Sequence, residues 1–341
     1  MLSARTGAVL NNIVGQYISG AVPVPSQSVA NEFGLKVSPA TIRNEMAHLE
    51  QEGYITRCHP SAGSTPSDKG YRYYVESLSE ITLPLAEQRL ISHLFHQVER
   101  KLEEWLSLSA TLIAQLAQNM AVVTMPKPAG CQFKHVEVIA LQGPLALVIL
   151  VLRGAKVKEE LITFDQTISQ SELTASTSKL NAAYSGLTSS QILAEGIRLS
   201  SIEQQVTDCL VKIMQAEDEQ EYEEPYLNGW HFMLNQPEFA YSHRMLTLIE
   251  LIERRELLKS IIPEGLSSQE VKVVIGKENK AEAIHNCSVV ISQYGLPQEA
   301  MGTIGVIGPT RMPYAHAISA ISYLASLMTR LVAELYGQDT N

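Results

Sequence analysis

Long apolar runs and paired cysteines are both missing from this 341-residue sequence. The longest apolar stretch, Val138–Leu152, is interrupted by Gln142-Gly143-Pro144 and is shorter than the roughly 20 residues that a membrane-spanning helix needs. The four cysteines are widely separated and form no CxxC pair, which argues against a zinc ribbon or a thioredoxin-type redox site. The N-terminus lacks a basic segment followed by an apolar one, so we expect a cytoplasmic protein with no membrane partner.

Basic residues are in deficit, with 26 Lys and Arg against 36 Asp and Glu and a net charge of −10. That balance argues against a chain that binds nucleic acid through overall charge. The deficit is uneven, because residues 1–75 carry six basic and five acidic side chains. A near-neutral segment attached to an acidic remainder permits DNA binding without proving it.

The first 80 residues have the pattern of a helix-turn-helix unit with a wing. Apolar residues recur at helical spacing from Val9 to Ile18, and a short helix is predicted to follow from Ser26. A third helix, Ser38–Gln51, begins with a serine N-cap and a proline. A short strand at residues 54–56, a loop rich in turn formers and a helix capped by Ser67 complete the expected unit.

The third helix carries the candidate DNA-binding residues. Its core face holds Ile42, Met46 and Leu49, and the opposite face presents Ala40, Asn44, Ala47 and Gln51, with Arg43 and His48 on the flanks. Asn and Gln can pair with adenine, Arg can pair with guanine, and small apolar side chains leave room for a thymine methyl group. Ser38, Thr41, Lys69 and Arg72 are candidates for backbone contacts, and Arg57 is a candidate from the wing. A solvated helix face without DNA remains the alternative.

The remainder of the chain mixes helices and strands. Helices are predicted from about residue 85 to 120, across 169–260 and from about 315 to 336; strands are predicted at 135–141, 146–152, 156–164, 271–276, 288–294 and 302–308. Gly302, Gly305 and Gly308 match neither a dinucleotide-binding fingerprint nor a P-loop, and glycines inside a strand indicate close backbone approach or a bulge. Arg311, which follows them, could pair with a core carboxylate or bind an anionic ligand.

The sequence contains no pattern of residues that is typical of a catalytic site. His93 and His96 lie one helical turn apart but have no third fixed ligand nearby, and no nucleophile with an adjacent base emerges. We therefore expect a protein that is not an enzyme and that uses no cofactor or metal.

Three longer motifs resemble the HrcA family of heat-inducible transcription repressors. They are VSPATIRNEMAHLE at residues 37–50 with GYI at 53–55, HPSAG at 59–63 continued by PSDKGYRYYV at 66–75, and GTIGVIGPTRMPY at 302–314. The similarity is dense over residues 1–78 and 270–314, looser between them, and follows the same order along the whole chain. One departure is that Ser64 and Thr65 stand where the family usually has an arginine after Ser-Ala-Gly, so we expect the wing here to lack a cation that could contact a phosphate or the minor groove.

The resemblance implies an α+β, multidomain protein with an N-terminal winged helix-turn-helix and a GAF-like body that contains an inserted dimerisation domain. The expected boundaries are a DNA-binding domain at 1–80, a helical connector at 81–125, a GAF-like domain at 126–165 and 226–341, and the inserted domain at 166–225. The implied function is that of a homodimer that represses chaperone operons by binding an inverted-repeat operator, with a GroEL-type chaperonin modulating its activity. A ligand-sensing regulator and a chaperone-interacting protein whose head no longer binds DNA are the alternatives.

Overall fold

The computed structural model describes residues 2–32, 38–57, 63–79, 81–99, 101–127, 130–153, 157–220, 225–239, 246–247, 249–251, 257–262, 270–297 and 300–335. The chain forms two compact units. The main unit comprises residues 1–126 and 223–341, and the inserted unit comprises residues 127–222. Both units contain helices and antiparallel sheet, so the predicted α+β class is confirmed.

Residues 2–79 of the main unit, called the head below, contain four helices and a two-stranded hairpin. In chain order these are α1 (Ala4–Gly20), α2 (Ser26–Glu32), α3 (Pro39–Gln51), β1 (Ile55–Arg57), β2 (Ser64–Pro66) and α4 (Asp68–Ser77). This is the order expected of a helix-turn-helix with a wing. The turn residues 33–37 and the wing residues 58–62 lie outside the described residues.

The later elements of the chain, in order, are α5 (Leu85–Gln97), α6 (Leu102–Ala117), β3 (Met120–Val123), β4 (Phe133–Ala140), β5 (Leu145–Leu152), β6 (Val157–Thr163), α7 (Gln170–Tyr184), α8 (Ser189–Ala194), α9 (Ser201–Gln220), β7 (Tyr226–Asn228), α10 (Trp230–Leu234), α11 (Leu257–Ile261), β8 (Lys272–Ile275), β9 (Cys287–Leu296), β10 (Ala300–Pro309) and α12 (Tyr314–Leu335). The predicted strands and the long C-terminal helix are therefore present within a few residues of their expected bounds.

The main unit is built around one antiparallel sheet with the strand order β7-β3-β10-β9-β8, which we call the body sheet. Helix α12 packs along this sheet with Ile321, Leu324 and Met328 fully buried. Its length and composition would also suit a membrane span. The burial of its apolar side chains in the main core shows it here as a core helix.

The described residues of the segment predicted to be a helical connector, 81–125, pack into this core. Helix α6 buries Trp105, Leu106 and Ile113 and contacts α12, and β3 forms an interior strand of the body sheet. A broad apolar face such as that of α6 needs a partner layer, and the body sheet with α12 supplies it.

The three glycines of β10 each lie against a neighbouring group, as close backbone approach requires. A Cβ atom on Gly302 would lie 2.4 Å from Cζ of Tyr294, and one on Gly308 would lie 2.2 Å from Oδ1 of Asn119. A Cβ atom on Gly305 would lie 3.1 Å from Cγ1 of Ile291. The spacing of these glycines therefore serves packing of the body sheet.

We expect Gly302→Ala to destabilise the main unit by about 1–3 kcal/mol, because the added methyl group collides with the ring of a fully buried tyrosine. Urea unfolding followed by circular dichroism measures the change. Gly15→Ala in α1 is the matched control, since a Cβ atom there meets nothing within 4 Å and should leave stability unchanged or slightly raised. Equal stability of both variants and the wild type would contradict this packing role.

The inserted unit combines a β4-β5-β6 meander with α7, α8 and α9, so this compact unit begins at residue 127, whereas the inserted dimerisation domain is predicted from residue 166. Strands expected in the GAF-like body belong instead with the following helices. The physical reason is their shared core: Val136, Val148 and Leu150 on one face of the meander are buried in the same cluster as Leu180 and Leu210 from the helices. Strand periodicity in the sequence gives no information on which sheet a strand joins.

On the other face of this meander, called the open face below, the central strand is also apolar. Central strand β5 alternates buried residues with the half-buried Leu145, Leu147, Ile149 and Val151. On either side of Leu147 stand Ile139, 38% exposed, and Leu161, 59% exposed. A strand that is apolar on both faces is typical of a sheet covered on both sides, so the open face has the character of a contact surface.

Candidate nucleic-acid interface

Helix α3 presents the candidate base-reading residues on one exposed face. Ser38 caps the helix by accepting a hydrogen bond from the backbone N–H of Thr41 at 3.2 Å, and Pro39 occupies its first turn. The core face buries Ile42, Met46 and Leu49 as predicted. The opposite face exposes the predicted set Ala40, Arg43, Asn44, Ala47, His48 and Gln51, whereas Thr41 is half-buried.

Arg43 and Asn44 are the residues on this face whose side chains are best suited to hydrogen bonding with base edges. Within the described residues, neither side chain forms a hydrogen bond or an ion pair. Both are therefore available to an external partner, and their planar donor groups suit bidentate contacts to guanine and adenine edges in a major groove. The geometry of α3 is compatible with the role predicted for it, and the contacts with bases stay a prediction.

Arg57 and Lys69 lie at the C-terminal end of α3. Arg57 forms an ion pair with Glu50 at 3.4 Å, and Nζ of Lys69 donates to the carbonyl of Glu52 at 2.7 Å. The ammonium group of Lys69 also stands 4.1 Å from the ring centre of Tyr54. Ten residues of helix correspond to about 15 Å, so these cations are well separated from the N-terminal turn of α3 and suit flanking phosphates better than the bases read there.

Arg72 is placed differently from the other candidates. Its Nε donates to Oε1 of Glu278 at 2.9 Å and its Nη2 donates to the carbonyl of Val273 at 2.7 Å, so the guanidinium group is bonded to the body sheet. The hydrogen bonds with Glu278 raise the pKa of the guanidinium above its ordinary value. A phosphate contact by Arg72 would require these bonds to open. Sequence reasoning missed Glu278 because nothing local marks it as the partner of a residue in the head.

The wing departs from the family pattern at a position that faces inward. The side chain of Ser64 is fully buried, and its backbone forms two 2.9 Å hydrogen bonds with Val24. The hydroxyl groups of Thr65 and Thr56 lie 2.9 Å apart across the hairpin. A side chain at position 64 with this orientation contacts the interior of the head, so the serine here serves the hairpin.

Arg311 takes the first of the two roles considered for it. Its Nε donates to Oε1 of Glu238 at 2.6 Å, and its side chain is only 12% exposed. Among the described residues, no group of three His, Cys, Asp or Glu side chains is arranged to hold a metal ion.

Comparison with known proteins agrees with the motifs. Residues 103–318 match the family model described as the HrcA protein C terminal domain. The chain is 52% identical over 338 residues to the heat-inducible transcription repressor HrcA of Dehalococcoides mccartyi strain 195, covering 99% of this chain and 98% of that protein. It is 38% identical to the protein of the same name from Roseiflexus castenholzii, with 98% of this chain and 96% of that protein covered.

A crystal structure described as that of a hypothetical protein has the same overall fold, with a TM-score of 0.60 at 22% identity; the match covers 98% of this chain and 99% of that one. This likeness concerns the fold alone. The identity to the two curated repressors, which extends over almost the full length, together with the family model, settles the relationship. The chain belongs to the HrcA family of heat-inducible transcription repressors.

Proposed function

We propose that this protein is a dimeric repressor that binds an inverted-repeat operator upstream of chaperone genes through α3. The observation that carries the proposal is the exposed face of α3, where Arg43 and Asn44 are free of partners among the described residues. The helix is anchored by a buried apolar face, so these side chains are presented from a rigid support. Rigid presentation favours sequence reading because fewer degrees of freedom are lost on binding.

We assign base contacts to Arg43 and Asn44, with Ala40, Ala47, His48 and Gln51 along the same groove. Ser38 and Thr41 at the N-terminal turn of α3, together with Lys69 and Arg57 at the other end, are assigned to the sugar–phosphate backbone. Arg72 is assigned to the body contact described above. The net charge of −10 does not oppose these contacts locally, because residues 1–75 carry six basic and five acidic side chains and the acidic excess lies in the rest of the chain.

A homodimer is required because one winged helix covers one half of an inverted repeat. We assign the dimer contact to the open face of the inserted unit. It offers Leu145, Leu147, Ile149 and Val151 in one row with Leu161 beside them. Glu137 and Glu159 stand opposite Ile149 on the two neighbouring strands, so the apolar row has a polar border, and a two-fold axis can bury the row against its own copy.

The proposal places the repressor in the cytoplasm, as a non-enzymatic protein whose activity a GroEL-type chaperonin modulates. The names of the relatives support the heat-inducible repressor, and the chaperonin is the partner that the family resemblance implies. A protein that reports on chaperonin availability in this way links folding capacity to chaperone gene expression.

Fluorescence anisotropy tests the proposal directly. The purified dimer is titrated onto the inverted-repeat duplex and onto a scrambled duplex, at two salt concentrations and with or without chaperonin. We expect tight, salt-dependent binding that prefers the inverted repeat, and stronger binding with chaperonin present. Equally weak binding to both duplexes, with chaperonin present, would reject operator recognition and favour a chaperone-interacting protein whose head does not bind DNA.

A ligand-sensing regulator is the second candidate, and one cavity favours it. A cleft of about 640 Å³ in the main unit is lined by Arg72, Lys272, Glu278 and Lys280 together with apolar residues such as Val75. That volume and mixed lining suit a small molecule with charged groups. Operator affinity that changes when the low-molecular-weight fraction of a cell extract is added would support this candidate over chaperonin control alone.

A further inference from the structure

Two arginines join the head to the rest of the main unit, one from each side. Arg72 on α4 of the head bonds to Glu278 and to the carbonyl of Val273. Arg311, from the segment after β10, donates to the carbonyl of Ile18 near the end of α1 at 3.3 Å.

The Arg72 contact completes the edge of the body sheet. Strand β8 is the edge strand, with β9 as its neighbour in the sheet. The carbonyl of Val273 accepts from Arg72, and the N–H of Ile275 donates to Oε2 of Glu278 at 2.8 Å. The ion pair thus occupies two backbone groups at an edge that would otherwise be open to another strand.

A second bond at the same edge adds to the contact. The carboxylate of Asp68, at the start of α4, accepts from the backbone N–H of Lys277 at 3.1 Å. It fits closely because Gly276 has a φ of 54°, and a Cβ atom there would lie 2.4 Å from the Asp68 carboxylate. The head therefore contacts the edge of β8 through the Arg72–Glu278 ion pair and through the bond between Asp68 and the Lys277 N–H, which needs a glycine at position 276.

The Arg311 contact is rigid in its own right. Its guanidinium is held by Glu238 and by the side-chain oxygen of Gln236, which leaves one nitrogen directed at Ile18. Nearby, the rings of Tyr71 from the head and Tyr314 from α12 pack 5.9 Å apart. Both tyrosine side chains are buried, so the head–body contact includes an apolar centre between its two polar ends.

These contacts between the head and the body sheet leave the exposed face of α3 uncovered. The contacts involve α4 and the end of α1, whereas Arg43, Asn44 and Gln51 on α3 remain exposed. We infer that Arg72, Glu278 and Arg311 are positioning residues for operator binding: they hold the head on the body sheet, so that α3 keeps one orientation relative to that sheet in each copy of a dimer. The inference rests on the proposed function, since it concerns how the two half-sites are engaged together.

The physical reason is pre-organisation. When both heads are held, binding of the first half-site places the second head at a high effective concentration over the other half-site. When a head is loosened, that advantage falls while the contacts of one head with one half-site stay intact. A variant that loses affinity for the full operator but keeps its affinity for a half-site duplex therefore identifies a residue with a positioning role.

The experiment compares Arg72→Gln, Glu278→Gln and the double variant with wild type in the full-length dimer. We expect affinity for the inverted-repeat duplex to fall about tenfold and affinity for a half-site duplex to change less than twofold. The double variant should resemble each single variant, because the two residues act through one another. Arg89→Gln and Glu282→Gln remove exposed charges of the same sign elsewhere in the main unit and should leave both affinities unchanged.

Half-site spacing gives a second readout that a general loss of stability would not produce. Inserting about 5 base pairs, half a helical turn, between the half-sites should sharply weaken wild-type binding and weaken Arg72→Gln much less. Arg72→Lys, which keeps the charge, should recover part of the spacing preference. Tighter or unchanged binding of Arg72→Gln to the full operator, or equal losses on full and half-sites, would overturn the inference.

Hydrogen exchange tests the docking role of Arg72 without DNA, so that its failure can be distinguished from a failure of the proposed operator binding. Arg72→Gln should speed exchange of the Lys277 amide, whose bond to Asp68 depends on the seated head, with little effect on amides of β9 and β10. A wild-type protein that ignores the operator rejects the proposed function. An unchanged exchange rate at Lys277 in the variant rejects the docking role independently of DNA.

Discussion

Replacing Arg43 with alanine should weaken binding to the inverted-repeat operator by about 10- to 100-fold and leave binding to a scrambled duplex nearly unchanged. The guanidinium lies on the exposed face of α3, and no ion pair within the described part of the chain holds it. Its loss removes a bidentate contact to one base pair, which is worth about 1–3 kcal/mol of discrimination. Competition titrations with single-base variants of the operator should show which base pair loses its preference.

Lys69→Gln is the matched contrast, since it also removes one positive charge from the head. Its ammonium group has three donors, of which one bonds to Glu52, so a phosphate can be added without breaking that bond. We expect both duplexes to bind more weakly by a similar factor, with a salt dependence lower by about one unit of slope. If Arg43→Ala instead lowers both affinities equally, Arg43 contacts phosphate; if it changes neither, the α3 face is only solvated.

The α3 face could be predicted from sequence because local rules determine it. A serine cap, a proline in the first turn and the spacing of Ile42, Met46 and Leu49 fix where the helix begins and which side is buried. Once these are set, the exposed positions of Arg43 and Asn44 follow without any knowledge of the rest of the chain. The structure shows the buried and exposed positions of α3 where the sequence predicts them.

The residues that could not be placed from sequence depend on distant partners. Arg72 has a helical position that suits DNA as well as the body, and its partner Glu278 is 206 positions away. Ser64 faces inward because its backbone pairs with Val24, which no wing motif reveals. In both cases long-range pairing decides what the side chain contacts, and local periodicity carries no information about it.

The same limit applies to the inserted unit. The continuous apolar sequence of β5 predicts a strand that is apolar on both faces, and the structure shows which face α7, α8 and α9 cover. The sequence alone does not say whether the strand joins the body sheet or a separate one. Knowing the covered face identifies the open one, and with it the surface on which dimer formation can be tested.

A charge on the open face should disrupt the dimer and cost the repressor most of its operator affinity. Leu161 is 59% exposed and stands opposite Leu147 on the neighbouring strand, at the middle of the apolar row. Burying a carboxylate there without a partner is strongly unfavourable, so Leu161→Glu should shift the protein to a monomer. Loss of the second head removes the avidity of two linked half-sites, and we expect full-operator affinity to fall roughly 100- to 10,000-fold.

Leu193→Glu is the matched control, because Leu193 is 61% exposed in the same unit but lies on α8, away from the open face. Sedimentation velocity gives the mass of each variant, and anisotropy gives the affinities for full and half-site duplexes. We expect Leu161→Glu to sediment as a monomer with unchanged half-site affinity, and Leu193→Glu to remain a dimer with full operator affinity. A dimeric Leu161→Glu protein would show that the two copies meet elsewhere, whereas a monomer that keeps full operator affinity would show that operator binding does not require the dimer.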